Sequence, residues 1–371
     1  MDAIERLNLN TDQYRTALAA IFDLLVSVEY YSSVNNVGWL YCETVQPWLI
    51  YPFTNTCPAC LTQHRFHYHK SNKPLSGSIG SITSKLLVKF FEMLLIRKGR
   101  NILCLKGQEP VDIVFVDSTT IPPTLFFAEI KSAPLITLPL VASANSVKGL
   151  DSPSRNQHIS QPILQGGNME IALYLPQHRG VYEPTLVFSL GEKPASEDNL
   201  WIYSGFKNLL LDSKFLPQYL TYWNEAFLAY QQRDVTSVVY WLTNGCGQPV
   251  PRPSDWRKRA SSGYESISDS KTSVGMDRTD DIKKATYQAL MLGALGKPST
   301  NYQYKTGIVS NIHPVRHFDE YLSALVDVVW ASSPTENKKQ SIKYHNLFDG
   351  IVTLTSTIAR DGWVKDVFDF D

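Results

Sequence analysis

Residues 109–131, EPVDIVFVDSTTIPPTLFFAEIK, predict two short β-strands joined by a turn. Residues 112–117 are mostly β-branched and apolar, and residues 125–131 resume that pattern with leucine, phenylalanine and isoleucine. Between them, residues 121–124 contain two consecutive prolines, which interrupt a strand and are typical of a turn. The stretch therefore predicts a β-hairpin, and the rest of the chain is interpreted around it.

The charged side chains of this hairpin are expected to meet. Side chains alternate across a strand, so Glu129 and Lys131 point to one face while Ile130 points to the other. The hairpin brings Asp112, at the start of the first strand, beside the end of the second. The sequence thus predicts two carboxylates and one ammonium converging in a mostly apolar sheet.

Such a cluster has a chemical and a purely structural interpretation. Burying charges is expensive unless they pair or hold a metal. Carboxylate oxygens are natural ligands for Mg²⁺, and a neighbouring lysine can orient or activate an attacking water. In the alternative interpretation, Glu129 and Lys131 form an exposed surface ion pair, worth roughly 0–1 kcal/mol.

The spacing of these residues resembles a known nuclease signature. Pro110 and Asp112, followed by Glu129 and Lys131, resemble the PD-(D/E)xK motif of the restriction-endonuclease-like nucleases. The chain departs from the motif in one respect, because Val111 separates the proline from the aspartate. The resemblance implies that Asp112 and Glu129 hold a catalytic Mg²⁺, and that Lys131 positions or helps to deprotonate the attacking water.

A helix and a strand are expected before the hairpin. Residues 84–98 carry apolar residues at helical spacing, and residues 101–105 form a candidate first strand. Many nucleases of the resembled family carry an extra acidic residue on this helix, and Glu92 is the one that fits. The alternative is an exposed glutamate on the polar side of the helix.

The expected fold class is α/β (α+β), with a restriction-endonuclease-like core in which a mixed central sheet is flanked by helices. A helix from about residue 281 to 295 and a strand at 304–311 supply what the core still lacks, and 317–330 predict a final helix. The expected domains are an N-terminal region with a zinc knuckle (1–80), the nuclease core (81–132 and 277–330), a large insertion for DNA recognition (133–276) and a C-terminal extension (331–371).

A second group of residues predicts a structural zinc site. Cys57 and Cys60 form a Cys-x-x-Cys pair around a proline, and such a tight turn lets two thiolates reach one ion. If residues 65–70 form a strand, His67 and His69 share a face and can complete a tetrahedral Zn²⁺ site. A redox pair and two free thiols are the alternatives. The other candidate ligands are His64 and Cys42.

A long irregular segment is the candidate DNA-contacting surface. Residues 245–277 are rich in serine, and structureless segments of this length are usually functional or disordered. Arginine beside serine and asparagine suits contacts to phosphates and base edges, although a disordered linker has the same composition. The basic residues expected to contact DNA are Arg252, Arg257, Lys258 and Arg259.

Composition narrows the class of protein. The chain has 371 residues, of which 43% are hydrophobic, so a sizeable core is expected. Lys plus Arg and Asp plus Glu are 35 each, so net charge gives no indication of nucleic-acid binding. Five cysteines make a poor disulfide framework. Because no stretch approaches about 18 uninterrupted apolar residues, we expect a soluble, cytoplasmic protein that does not enter a membrane.

The resemblance implies a hydrolase of the type II restriction endonuclease class. Such an enzyme would use Mg²⁺ to cleave double-stranded DNA at a specific sequence, as a homodimer within a restriction-modification system. Two other classes remain open. One is a junction or repair nuclease with the same core, and the other is a zinc-stabilised nucleic-acid-binding protein without catalysis.

Overall fold

The computed structural model describes residues 1–32, 39–42, 48–50, 76–136, 140–143, 147–148, 158–159, 163–164, 170–178, 181–189, 200–232, 274–298, 301–331 and 343–370. The chain divides into two compact units, each assembled from separate stretches. The first unit is Met1–Asn8, Asp23–Ile79 and Leu135–Thr272, and the second unit is Leu9–Phe22, Gly80–Pro134 and Ser273–Asp371.

The described residues form both helices and strands. The helices are α1 (Asp2–Glu5), α2 (Thr11–Ser32), α3 (Ser76–Arg97), α4 (Leu200–Leu211), α5 (Phe215–Gln231), α6 (Thr279–Gly296) and α7 (Gly362–Phe368). The strands are β1 (Trp39–Cys42), β2 (Trp48–Ile50), β3 (Ile102–Lys106), β4 (Ile113–Asp117), β5 (Thr124–Ile130), β6 (Leu140–Ser143), β7 (Val147–Lys148), β8 (His158–Ile159), β9 (Ile163–Leu164), β10 (Glu170–His178), β11 (Val181–Ser189), β12 (Gln303–Ser310), β13 (Val329–Ala331), β14 (Tyr344–Asn346), β15 (Gly350–Thr353) and β16 (Thr357–Ala359). Among the described residues, no helix is both long and apolar enough to cross a membrane.

The second unit is built on a mixed sheet with the strand order β16-β15-β12-β5-β4-β3. Strands β3, β4 and β5 form an antiparallel meander. After the meander, β12 returns parallel to β5, with Ile308 opposite Glu129. Strand β15 lies parallel to β12, and β16 closes that side antiparallel to β15. A mixed sheet flanked by helices was predicted from the sequence, and the structure confirms it.

Both faces of this sheet are covered by helices near β5. On one face, the ring of Phe368 in α7 lies 5.0 Å from Phe115 and 5.6 Å from Phe126, between ring centroids. Phe91 of α3 completes this aromatic core, 6.1 Å from Phe368. On the other face, α6 packs on β12 and β15 through a buried cluster that consists of Met276, Ile282, Ala285, Ala289, Ile308, Leu322, Phe348 and Ile351.

A glycine permits the close packing of β12 in this sheet. A Cβ atom on Gly307 would lie 2.2 Å from the carbonyl oxygen of Gly350 and 2.8 Å from the ring of Phe126. Both distances are shorter than a van der Waals contact, and one of the two neighbours is backbone. Any larger residue would therefore separate β12 from β15 or displace the aromatic core.

The predicted elements around the hairpin agree with the structure, and one prediction further along the chain is wrong. The hairpin strands form β4 and β5, and α3 begins at Ser76, earlier than the sequence indicated. The helix expected over 317–330 is not continuous. It is a π-helical turn at Phe318–Leu322 and a 3₁₀ turn at Ser323–Leu325, and the chain then extends into β13.

Competing interactions explain this difference. The carboxylate of Asp277 accepts hydrogen bonds from the backbone N–H groups of Val315, Arg316 and His317, which fixes an irregular entry to the segment. At its other end, β13 pairs with β14. The apolar residues that suggested a helix do reach the core, because Leu322 belongs to the buried cluster under α6.

The first unit contains a sheet with the order β11-β10-β6-β2-β1-β8 and a fully buried carboxyl group, that of Asp23 in α2. Its Oδ2 atom accepts hydrogen bonds from the N–H groups of Leu135 and Ile136, both at 3.0 Å, and from the indole of Trp223 at 2.8 Å. Its Oδ1 atom is buried and bonds to no other described residue. Burial raises the pKa of Asp23 from 3.8 to about 8, against the opposing effect of these three donors.

We expect Asp23 to make the protein less stable as pH rises from about 4 towards 8. The folded carboxyl keeps its proton up to about pH 8, whereas the unfolded one loses it near pH 4, so protonation favours the folded state. Replacing Asp23 with asparagine removes this loss, and we expect a difference of about 2–4 kcal/mol in the pH dependence of the unfolding free energy. Urea denaturation of both proteins at about pH 5 and pH 8, followed by tryptophan fluorescence, measures it. Identical pH dependence in the two proteins would show that the carboxyl does not titrate in this range.

Candidate active site

The start of β4 and the end of β5 bring the predicted hairpin charges together. Asp112 immediately precedes β4, and the register pairs Ile113 with Ala128 on β5. The Oδ2 atom of Asp112 accepts a hydrogen bond of 2.8 Å from the backbone N–H of Ile130. The carboxylate thus takes the place of a main-chain partner where the β4–β5 ladder ends, which holds Asp112 beside Glu129.

Glu129 and Lys131 form an ion pair on one face of the sheet. The ammonium group of Lys131 donates to Oε1 of Glu129 and lies 3.4 Å from the carbonyl oxygen of Ile130. The Glu129 side chain is 5% exposed and that of Lys131 is 20% exposed. The pair is therefore largely removed from water, which contradicts the alternative of an exposed surface ion pair.

Burial and a neighbouring carboxylate change the protonation of Glu129. Loss of solvation raises the pKa of Glu129 from 4.5 to about 7, although the Lys131 ammonium opposes the change. Asp112 raises this pKa further, through its charge and through a hydrogen bond. Near neutral pH the Glu129 carboxyl is therefore partly protonated. A cation between the two carboxylates would favour the ionised form of Glu129.

A glutamine from α6 completes the surroundings of Glu129. When the Gln288 carboxamide is oriented with its nitrogen towards the sheet, this nitrogen lies 2.8 Å from Oε1 and 3.3 Å from Oε2 of Glu129. It also donates to the carbonyl oxygen of Lys284, at 3.3 Å. The opposite orientation would set the amide oxygen against three acceptor oxygens. Gln288 therefore orients the Glu129 carboxylate and satisfies part of its negative charge.

Side chains fix the backbone that follows Lys131. The carboxamide of Asn311 bonds to Ala133 twice, accepting from its N–H at 3.2 Å and donating to its carbonyl oxygen at 2.9 Å. The hydroxyl of Thr83 in α3 donates to the carbonyl oxygen of Ser132 at 2.9 Å. The Asn311 contacts extend the pairing of β5 and β12 beyond its last paired residues, and Thr83 holds the same segment from α3. Lys131 therefore extends from a firmly held backbone.

The donor atoms of Asp112 and Glu129 are carboxylate oxygens, which are suitable ligands for Mg²⁺. Among the described residues, no group of three or more His, Cys, Asp or Glu side chains is arranged to hold a metal. Mg²⁺ is commonly held by one or two carboxylates, with waters and substrate phosphates supplying the remaining ligands. Asp112 and Glu129 provide such a pair, and the raised pKa of Glu129 reflects the cost of leaving that charge uncompensated.

The fourth candidate catalytic residue, Glu92, lies on α3 and not beside the three hairpin residues. It is half-buried on α3, and its charge helps to raise the pKa of the Cys104 thiol on β3 to about 12, after the larger effect of burial. No hydrogen bond or ion pair among the described residues joins Glu92 to Asp112, Glu129 or Lys131. The structure thus brings the three hairpin residues together but does not bring Glu92 to them.

The remaining candidate site residues lie outside the part of the chain whose side chains the structure describes. They comprise the candidate zinc ligands Cys57, Cys60, His67 and His69, their alternatives His64 and Cys42, and the candidate DNA-contacting residues Arg252, Arg257, Lys258 and Arg259. The zinc site and the DNA-contacting loop therefore stay predictions.

Comparisons with known proteins find no significant match to this chain. No family model matches the chain, and neither a characterised protein nor a solved structure gives a significant match.

Replacing Lys131 with methionine should raise the pKa of Glu129 above about 7, because the variant lacks the ammonium that favours the ionised carboxylate in the wild type. Lys131→Arg keeps the positive charge and should leave the pKa closer to that of the wild type. Carboxyl ¹³C chemical shifts of labelled glutamate, assigned with Glu129→Gln, measure the pKa values. An unchanged pKa in Lys131→Met would mean that the ion pair does not form in solution.

Proposed function

We propose that this protein is a Mg²⁺-dependent endodeoxyribonuclease with a restriction-endonuclease-like core, similar to the type II restriction enzymes. The observation that carries the proposal is the convergence of Asp112, Glu129 and Lys131 at adjacent strand ends, with Glu129 buried against Lys131. Glu129 and Lys131 are largely removed from water, whereas Asp112 beside them is exposed. A buried charge pair is expensive to keep without a catalytic or structural purpose.

The order of elements in the second unit supports the same proposal. Helix α3 is followed by the antiparallel meander β3–β5. In the same unit, α6 and then β12, which lies parallel to β5, come next. This is the order that the resemblance implies for the nuclease core. The candidate residues lie at the beginning of β4 and the end of β5, as the motif requires.

Each residue has a defined role in phosphodiester hydrolysis. Asp112 and Glu129 would hold Mg²⁺, which supplies charge stabilisation at the scissile phosphate and at the leaving oxygen. The Lys131 ammonium lies beside the Glu129 carboxylate, where it positions the attacking water and favours its deprotonation. Gln288 keeps the Glu129 carboxylate oriented while substrate enters.

The finer parts of the proposal come from the resemblance. They are cleavage of double-stranded DNA at a specific sequence and a homodimer whose two-fold axis matches a palindromic site. The zinc knuckle at Cys57 and Cys60 is proposed separately, from the Cys-x-x-Cys spacing. The basic loop that includes Arg257 and Lys258 would contribute to DNA contact. Mapping the fragment ends that the protein produces from phage DNA tests the specificity, and sedimentation tests the dimer.

Asp112→Asn, Glu129→Gln and Lys131→Met should each reduce Mg²⁺-dependent cleavage of phage DNA by at least about a hundredfold, because each removes a group that acts on the scissile phosphate. DNA binding should stay within a few-fold of that of the wild type, since these groups contribute little to the contact area. Gel analysis of cleavage and fluorescence anisotropy in Ca²⁺ measure the two effects.

Asp327→Asn is the matched control for these variants, because this carboxylate is 87% exposed and belongs to the same unit. Its cleavage rate should equal that of the wild type. If Asp112→Asn and Lys131→Met cleave as fast as this control, the active-site assignment is wrong. If the wild type binds DNA but never cleaves it, the chain belongs to the non-catalytic class instead.

Elemental analysis of the purified protein should find about one zinc per chain, and Cys57→Ser should abolish it together with part of the thermal stability. Structural zinc contributes directly to the folding free energy, so stability should fall more than cleavage does. Cys104→Ser is the control, because this half-buried thiol is free and belongs to the second unit. Zinc-free wild type, or Cys57→Ser with full zinc content, would refute the assignment.

A further inference from the structure

We propose that the outer surface of α6 beside Glu129 is a contact for the substrate strand, in which Lys284 binds a phosphate next to the scissile one and Tyr287 packs on the flanking nucleotide. The inference rests on the proposed nuclease function and names residues that the sequence pattern did not identify. We define this pair, Lys284 and Tyr287, as the α6 strand contact.

The position of the α6 strand contact follows from Gln288. The amide nitrogen of this residue bridges the Glu129 carboxylate and the carbonyl oxygen of Lys284. The backbone of Lys284 is therefore only one side-chain amide away from the candidate metal ligand. Residues three and four apart are neighbours on a helix surface, so Lys284 adjoins both Gln288 and Tyr287.

Both side chains are exposed on the surface of α6. Tyr287 is 67% exposed, which is high for a large aromatic side chain, and Lys284 is also exposed. Neither side chain forms a hydrogen bond or an ion pair with another described residue. The opposite side of α6 carries the buried residues Ile282, Ala285 and Ala289, so the packing of the helix does not require the outer pair.

The chemistry of the pair suits a nucleic-acid strand. The carboxylates of Asp112 and Glu129 would repel a phosphate unless cations compensate them. Lys284, whose backbone carbonyl contacts Gln288, would supply positive charge there. A basic residue beside an aromatic ring can hold a strand of a duplex by a phosphate contact and by contact of the tyrosine with the sugar-phosphate backbone of the next nucleotide. A phosphate on Lys284 would thus fix the strand that enters the site.

The adjacent residue Lys283 provides a matched control. Lys283 is exposed, as Lys284 is, but the Lys283 ammonium lies 5.0 Å from the centre of the Tyr321 ring. It is therefore committed to a cation–π contact on the flank of α6 away from Gln288. Lys283→Gln and Lys284→Gln remove the same charge from the same turn of the same helix, but on different flanks of it.

The test uses fluorescein-labelled duplex fragments of phage DNA, whose binding is measured by anisotropy in Ca²⁺ over a range of salt concentrations, with cleavage in Mg²⁺ measured in parallel. Lys284→Gln should weaken binding by about three- to tenfold and reduce the slope of log affinity against log salt by about 0.9. Tyr287→Ala should weaken binding by about threefold or more, while Tyr287→Phe, which keeps the ring, should not. Lys283→Gln should bind like the wild type with an unchanged slope.

The α6 strand contact would be overturned if Lys283→Gln and Lys284→Gln had equal effects on binding, or if neither had an effect. If the wild type still cleaved the DNA in that case, the proposed function would stand. A loss of affinity in Lys284→Gln without a change in salt slope would also overturn the α6 strand contact, because no phosphate contact would have been lost. Wild-type protein that neither binds nor cleaves the fragments would overturn the proposed function and this inference together.

Discussion

The second unit depends on one constraint, the burial of the Glu129 carboxylate in the middle of a sheet. Its side chain is 5% exposed, and an ionised carboxylate removed from water must be compensated by neighbouring groups. The parallel pairing of β12 with β5 makes that possible, because it places α6 over this face and carries Gln288 to Glu129. Lys131 supplies the opposite charge, although burial still raises the pKa of Glu129 to about 7. The divalent cation of the proposed function would add to this compensation.

The sequence predicted the part of the site that lies on one hairpin, and the reason is geometric. Alternation along β5 determines that Glu129 and Lys131 share a face, and hairpin pairing determines that Asp112 is near. Gln288 was not predicted as a site residue, since it belongs to α6 and nothing local shows which strand that helix covers. Its only signal was a polar residue in a mostly apolar helix, which also describes many surface positions.

The errors in the fold have the same origin. The apolar spacing of 317–330 is real, but Asp277, far away in sequence, holds the start of this segment in an irregular conformation, and β13 pairs with β14 at its end. Strands β15 and β16 join the central sheet beside β12, although the region after residue 331 had no assigned place in the core. Local pattern identified the elements, whereas long-range hydrogen bonds decided how they ended and which of them became neighbours.

The central claim is that Asp112 and Glu129 hold a divalent cation in front of Lys131. The most direct measurement is anomalous X-ray diffraction from crystals soaked in Mn²⁺, which takes the place of Mg²⁺ and scatters anomalously. The account predicts an anomalous peak about 2 Å from a carboxylate oxygen of both residues, and its loss in Asp112→Asn. A peak elsewhere in the protein, or none at Mn²⁺ concentrations that support DNA cleavage, would contradict it.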